Sequence, residues 1–223
     1  MAALTSVVYH NVGSDTEYEA GLNVTVDWQI FCDQIVYLSK NYDVIDLETL
    51  LHGKLPKRPL LITFDDCYAS SFEAARNVLS PMGLPSVFFV NPGLLGPEAI
   101  SIDSLLAWCA NVVGLDGLCK EIGVTPQSDV GHLIASEMSS LTATQRSNLK
   151  EQLRRKFGPT SFAGRNPLLT REELADLCKY GMEIGNHTNS HVHCRSLDPT
   201  EITAEIEDAK TELERMSGQK IRA

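Results

Sequence analysis

Short apolar runs alternate along this chain with stretches whose apolar residues recur every three or four positions, and that alternation sets the element order. Leu4 to Tyr9 is an apolar run of strand length, ended by His10 and followed by a polar, glycine-containing loop from Asn11 to Asn23. Val26, Ile30, Phe31, Ile35 and Leu38 fall at helical spacing and predict an amphipathic helix over about 26–40. A short strand over Tyr42 to Leu47 and a helical turn from Glu48 to His52, closed by Gly53, come next. They lead to the strongest run in the sequence, Leu60-Leu61-Ile62-Thr63-Phe64, which stops at two adjacent carboxylates, Asp65 and Asp66. Ser70 to Leu79 predicts a helix ended by Pro81 and Gly83, and Pro85 to Val90 a further buried strand. Strand, helix, strand in short succession calls for right-handed parallel crossovers. The fold class is therefore α/β, with functional groups gathered at the C-terminal ends of strands.

From Asn91 to about Asn166 the alternation stops. Ile102, Leu105, Leu106 and Val113 suggest one helix, Leu133, Ile134 and Met138 part of another, and Thr142 to Phe157 a third with a charged face. With no strand of comparable strength, residues of about 97–166 read as a helical insertion, either a lid that shapes access or a brace with no contact to ligand. The alternation then resumes. Thr170-Arg171-Glu172-Glu173 is a capping box, and its helix ends at Gly181 ahead of a strand over Met182 to Gly185. Asp198-Pro199-Thr200-Glu201 opens one more helix, with Ile202, Ile206, Ala209 and Leu213 as its stripe and Gly218 as its stop. Gln219 to Ala223 reads as the start of another strand.

Composition narrows the class of partner. The 223 residues, 43% hydrophobic, suit a single domain spanning 1–223, and a net charge of -10 without a basic stripe argues against a nucleic-acid partner. The N-terminal residues lack both a basic start and a long apolar run, so no signal peptide or membrane span is expected, which points to a cytoplasmic location. Six cysteines without a C-x-x-C pair are expected to be reduced and mostly buried.

Candidate chemistry lies at the ends of two predicted strands. Adjacent carboxylates at the end of a core strand repel each other unless a cation sits beside them. His187-Thr188-Asn189-Ser190-His191, after the strand at Met182 to Gly185, offers two imidazoles four residues apart. Asp66, His187 and His191 would form a two-histidine, one-carboxylate face with positions open for water and substrate. Asp65, turned away from Asp66 because strand side chains alternate, would take the proton of a metal-bound water. Either motif alone is weak, since H-x-x-x-H recurs by chance and paired aspartates often cap helices; together at strand ends they favour a metal. His193 is close enough to compete as a ligand but reads as a surface or supporting residue, and His52 and His132 as structural or exposed.

Thr63-Phe64-Asp65-Asp66, followed about 120 residues later by His187 to His191 on a Glu183-Ile184-Gly185-Asn186 lead-in, resembles the polysaccharide deacetylases. These are the NodB-homology group, carbohydrate esterase family four. Val8-Tyr9-His10-Asn11-Val12 is similar to the tyrosine-histidine opening of one branch. The resemblance implies a distorted (β/α) barrel that hydrolyses the N-acetyl group of amino sugars in a polysaccharide or glycan precursor, using Zn2+ or a similar ion such as Co2+. By it, Asp65 matches the catalytic base, Asp66, His187 and His191 match the metal ligands, and His10 is a candidate general acid for the leaving amine. Two departures stand out. Cys67 occupies a position that is glycine in the family, and the family's next motif would begin at or past Ala223, implying a chain truncated and a barrel incomplete on the C-terminal side. Two alternatives follow: a catalytically impaired metal-binding or glycan-binding relative, and a hydrolase of non-sugar amides.

Overall fold

The computed structural model describes residues 3–96, 99–159 and 166–223. Strand β1 (Thr5–Tyr9) is followed by two-residue strands β2 (Asn11–Val12) and β3 (Thr25–Val26), helix α1 (Trp28–Asn41), β4 (Asp43–Val44), α2 (Leu47–His52) and β5 (Pro59–Phe64). Helix α3 (Ala69–Ala74) runs on as a wider π turn over Ala75–Leu79 and leads to β6 (Val87–Val90). Then come α4 (Ile102–Val113), α5 (Leu115–Ile122), α6 (Val130–Glu137), α7 (Ala143–Phe157) and α8 (Arg171–Lys179). After β7 (Glu183–Asn186), α9 (Pro199–Thr203) and α10 (Ala209–Ser217) are joined by a second π turn, Ala204–Asp208.

Five strands form one parallel sheet in the order β1-β5-β6-β7. The short β4 pairs with the first residues of β5, on the edge that β6 takes further along. All six residues of β5 are buried, as a central parallel strand covered on both faces requires. Phe64 stacks on Phe88 at 4.7 Å, and Tyr9 meets Phe31 of α1 edge-on at 5.0 Å. Two rungs continue past the assigned strands: Asp65 N–H donates to the Tyr9 carbonyl and His187 N–H to the Val90 carbonyl, each at 3.0 Å. The sheet ladder thus fixes the backbone of a candidate carboxylate and of a candidate imidazole.

The expected elements shift in four places. Val26 lies in β3, not in α1, because Asp27 accepts hydrogen bonds from the Gln29 and Ile30 N–H groups and so caps the helix at Trp28. The polar stretch after His10 is not all loop, since Asn11–Val12 pairs in parallel with Thr25–Val26. The strand expected over Tyr42 to Leu47 shrinks to Asp43–Val44, cut off where Asp46 caps α2. Gln219 to Ala223 forms no strand, yet it runs along the outer edge of β7: the Ala223 carbonyl accepts from Asn186 N–H at 2.8 Å.

Helices α4 to α7 carry a core of their own. Leu105, Leu106, Cys109, Leu118, Leu133 and Leu153 are fully enclosed in it, and Tyr18 stacks on Trp108 at 5.1 Å to join it to the loop after β2. The start of this segment expected at residue 97, and residues 160–165 near its end, lie outside the described residues. No single helix among the described residues is long and apolar enough to cross a membrane; α4 and α5 together have the length and composition but are bent by 118°. All six cysteines are unpaired; Cys67, Cys109 and Cys119 are buried and the other three half-buried.

Candidate metal centre

The candidate site forms where β1, β5 and β7 end. Asp66 Oδ1 lies 3.1 Å from Nε2 of both His187 and His191, and His10 Nε2 lies 3.7 Å from Asp66 Oδ2. Four of the five residues placed around a metal or a reacting amide by sequence reasoning are therefore neighbours, and the fifth, Asp65, feels the charges of Asp66 and the three imidazoles. Their side chains are partly open to solvent, 17% for Asp66 and about 30% for the three imidazoles, so a substrate can reach them.

Backbone conformation separates the two carboxylates, which corrects the expectation that strand alternation would do so. The strand stops at Phe64, and both Asp66 (φ 68°) and Cys67 (φ 60°) adopt the left-handed conformation. Such residues cost about 1–3 kcal/mol each and concentrate at functional sites. Thr188 and His191 are left-handed too, so four of the five described non-glycine residues with positive φ lie at this site. A glycine would make the Cys67 turn without strain. Here the buried thiol sulfur is used instead, accepting a hydrogen bond from Asn91 N–H at 3.0 Å. Burial drives the Cys67 thiol pKa well up, so it stays protonated.

The loop between the histidines is clamped from several sides. Asn91, at the end of β6, is fully buried, and its side-chain amide donates to the carbonyls of His187 and Thr188. Glu205 accepts from Ser190 N–H at 2.8 Å and from Ser190 Oγ at 2.7 Å. It sits in the π turn between α9 and α10, where the extra residue redirects side chains relative to a regular helix. From the helical segment, Asp103 Oδ2 lies 3.2 Å from His191 Nδ1, and Arg146 donates to the His191 carbonyl at 3.1 Å. No local motif announces these four supports: Asp103 looks like an ordinary first-turn acid of α4, and Arg146 like one charge on a charged face. Of the remaining histidines, His52, His132 and His193 are exposed and stand outside the cluster.

The electrostatics separate the roles of the acids. Burial pushes the Asp65 carboxyl above its ordinary value and Asp66's charge adds to that, against the pull of the His187, His10 and His191 imidazoles. Burial also acts to raise Asp66, but the His187 imidazole 3.1 Å away, with those of His191 and His10, holds it below the usual carboxylate range. Asp66 is thus the ionised acid and Asp65 the more basic one. Burial opposes charge on His191, but Asp103 and Asp66 outweigh it and raise its pKa.

The donor set fits a divalent metal. Asp66 Oδ1 is buried and has no hydrogen-bond donor, while both Nε2 atoms face it. One ligand atom from each of Asp66, His187 and His191 lies within 4.8 Å of the others. Ligands bonded at about 2.0–2.2 Å to one tetrahedral ion stand roughly 3.3–3.6 Å apart, near the observed 3.1 Å contacts.

The family model for polysaccharide deacetylase matches residues 52–223. A polysaccharide deacetylase from Bacillus cereus is similar in structure, with a TM-score of 0.59 and 14% sequence identity over 98% of this chain and 48% of its own. The Streptococcus pyogenes deacetylase PplD, solved with acetate, has a TM-score of 0.59 at 17% identity over 98% of this chain and 70% of its own. IcaB from Ammonifex degensii has the same TM-score at 16% identity over 100% of this chain and 72% of its own. The chain thus spans about half the length of the Bacillus structure. No curated protein matches it. At these identities the likeness is one of fold, and it makes the open parallel sheet part of a distorted (β/α) barrel. With the family model covering well over half of its residues, including the β5 acids and the paired histidines, this chain belongs to the polysaccharide deacetylase family.

Proposed function

We propose that the chain is a metal-dependent deacetylase that hydrolyses the N-acetyl group of amino sugars in a glycan. The observation that carries this reading is the buried, donor-free Asp66 Oδ1 facing two imidazole nitrogens at 3.1 Å, beside a second acid of raised pKa. Asp66, His187 and His191 would hold the metal, Zn2+ or a similar ion such as Co2+ given the nitrogen and oxygen donors. When bound, the ion polarises the acyl oxygen and makes a water acidic.

The chain's own groups do the rest. Asp65 takes the proton of the water whose oxygen attacks the acetyl carbon, and burial, which raises its pKa, makes it the more basic of the two acids. His10, on the Asp66 Oδ2 side, gives a proton to the nitrogen as the C–N bond breaks, leaving acetate and a free amine. The PplD structure, solved with acetate, supports the choice of acyl group.

The test is acetate release from N-acetylglucosamine oligomers by chelator-treated protein, with and without one equivalent of Zn2+. Acetate formed only with metal is the expected result. One equivalent bound tightly with no acetate from any acetylated sugar would overturn the deacetylase assignment.

A further inference from the structure

We propose that Asp103, anchored by the buried Arg146, is a positioning residue that fixes His191 as the tautomer with its proton on Nδ1, so that Nε2 offers a lone pair beside Asp66. The helical segment is then a working part of the metal centre. This rests on the metal reading given above.

A carboxylate only accepts hydrogen bonds, so the 3.2 Å contact between Asp103 Oδ2 and His191 Nδ1 requires the proton on Nδ1. The other nitrogen, Nε2, is the one that lies 3.1 Å from Asp66 Oδ1. A carboxylate behind a metal-binding imidazole both orients the ring and makes it a stronger donor.

Asp103 is itself held. Its other oxygen, Oδ1, is buried without a hydrogen-bond donor and lies 3.7 Å from Arg146 Nη2, an ion-pair distance. Arg146 is only 4% exposed, and its two Nη groups donate to the carbonyls of Met138 and His191, both at 3.1 Å. One guanidinium therefore neutralises the acid that orients the His191 ring and fixes the carbonyl of the same residue, whose φ is 58°. A brace that merely attached the helices to the sheet would have no need of a carboxylate against the ring nitrogen.

The test measures metal affinity and His191 tautomer in wild type, Asp103→Ala and Asp103→Asn. Competition against a chromophoric chelator for Zn2+ gives the affinity, and long-range 1H–15N spectra of the metal-free protein at a pH where the ring is neutral give the tautomer. Asp103→Ala is expected to weaken Zn2+ binding about 10- to 100-fold and let His191 populate both tautomers. Asp103→Asn, whose side-chain oxygen still accepts from Nδ1–H, should keep the tautomer and recover part of the affinity. Far-ultraviolet circular dichroism shows whether each variant is folded; if Asp103→Ala is not, Asp103→Asn against Asp103→Leu gives the same contrast. Wild-type affinity and an unchanged tautomer in folded Asp103→Ala or Asp103→Leu would overturn this proposal while leaving the metal reading intact. A wild-type chain that binds no Zn2+ while His191 keeps its Nδ1 proton would overturn the metal reading instead.

Discussion

The sheet and the helical segment contribute to the same site in different ways. The sheet places Asp65, Asp66 and His187 within two residues of a strand end, with ladder bonds fixing the main chain at Asp65 and His187, and His191 follows on the loop after β7. Among the described residues, the helical segment supplies no candidate ligand. It has a separate core and reaches the site through Asp103 and Arg146, both directed at His191. The difference shows how a family centre can be kept in place while a neighbouring segment tunes one of its ligands: donors come from backbone that cannot shift, and adjustment comes from side chains on packed helices.

The comparison can be broken most severely at the sheet. His187→Ala or Asp66→Ala should remove stoichiometric Zn2+ binding, read by metal analysis after dialysis, while helical content measured by circular dichroism is unchanged. Metal retained by both variants would show that the ligands lie elsewhere. Next in size, Asp65→Asn should keep the metal and lower acetate release by about 10²- to 10⁴-fold, the usual contribution of a positioned base. Full activity in that variant would remove Asp65 from the mechanism.

A third change probes how firmly the histidine loop is seated. A Cβ added at Gly93 would come within 2.7 Å of the Asn189 carbonyl oxygen, a backbone atom that cannot rotate away. Gly93→Ala should cost about 1–3 kcal/mol in denaturant unfolding and weaken metal binding by moving the His187 to His191 loop. By contrast, a Cβ at Gly185 would meet the ring of Phe89 at 2.5 Å, a side chain on the neighbouring strand that can shift, so Gly185→Ala should be milder. Equal effects of the two would mean that the loop is not held by its close approach to Gly93.

The smallest effect is expected far from the site, at the start of α2. Asp46 caps this helix through Thr49 N–H at 2.7 Å, and its hydrogen bonds with Thr49 hold its carboxyl below the ordinary value. Asp46→Ala should cost about 1 kcal/mol. Because the folded pKa is the lower one, this contribution is fully present above the unfolded pKa of about 3.9 and is lost as pH falls through the folded value. The gap between wild type and variant should therefore close in acid, which urea unfolding at pH 7 and at low pH would measure.

The sequence was most legible where one physical pattern dominated. The buried β5 run, the Thr170 capping box and the Asp198 cap with Pro199 form the elements expected of them. Asp66, His187 and His191 cluster as expected from two motifs, each weak alone, that both follow strands of one parallel sheet. Less legible was whatever depended on backbone that propensity disfavours. Nothing local in Asp66 or Cys67 announces a left-handed turn; Cys67 takes it because the sheet, Asn91 and the core around its thiol fix the geometry. The supports were hidden for a related reason. Asp103 and Arg146 meet His191 across 88 and 45 residues of chain, and such contacts follow from helix packing that no short motif records.

If Asp66, His187 and His191 share one divalent ion, anomalous scattering at the zinc edge from crystals grown with Zn2+ should show a single strong peak about 2.0–2.2 Å from Asp66 Oδ1 and from Nε2 of both histidines. A peak bonded to His193 or to Asp65 instead, or no peak among these residues in a crystal that holds zinc elsewhere, would contradict a shared ion.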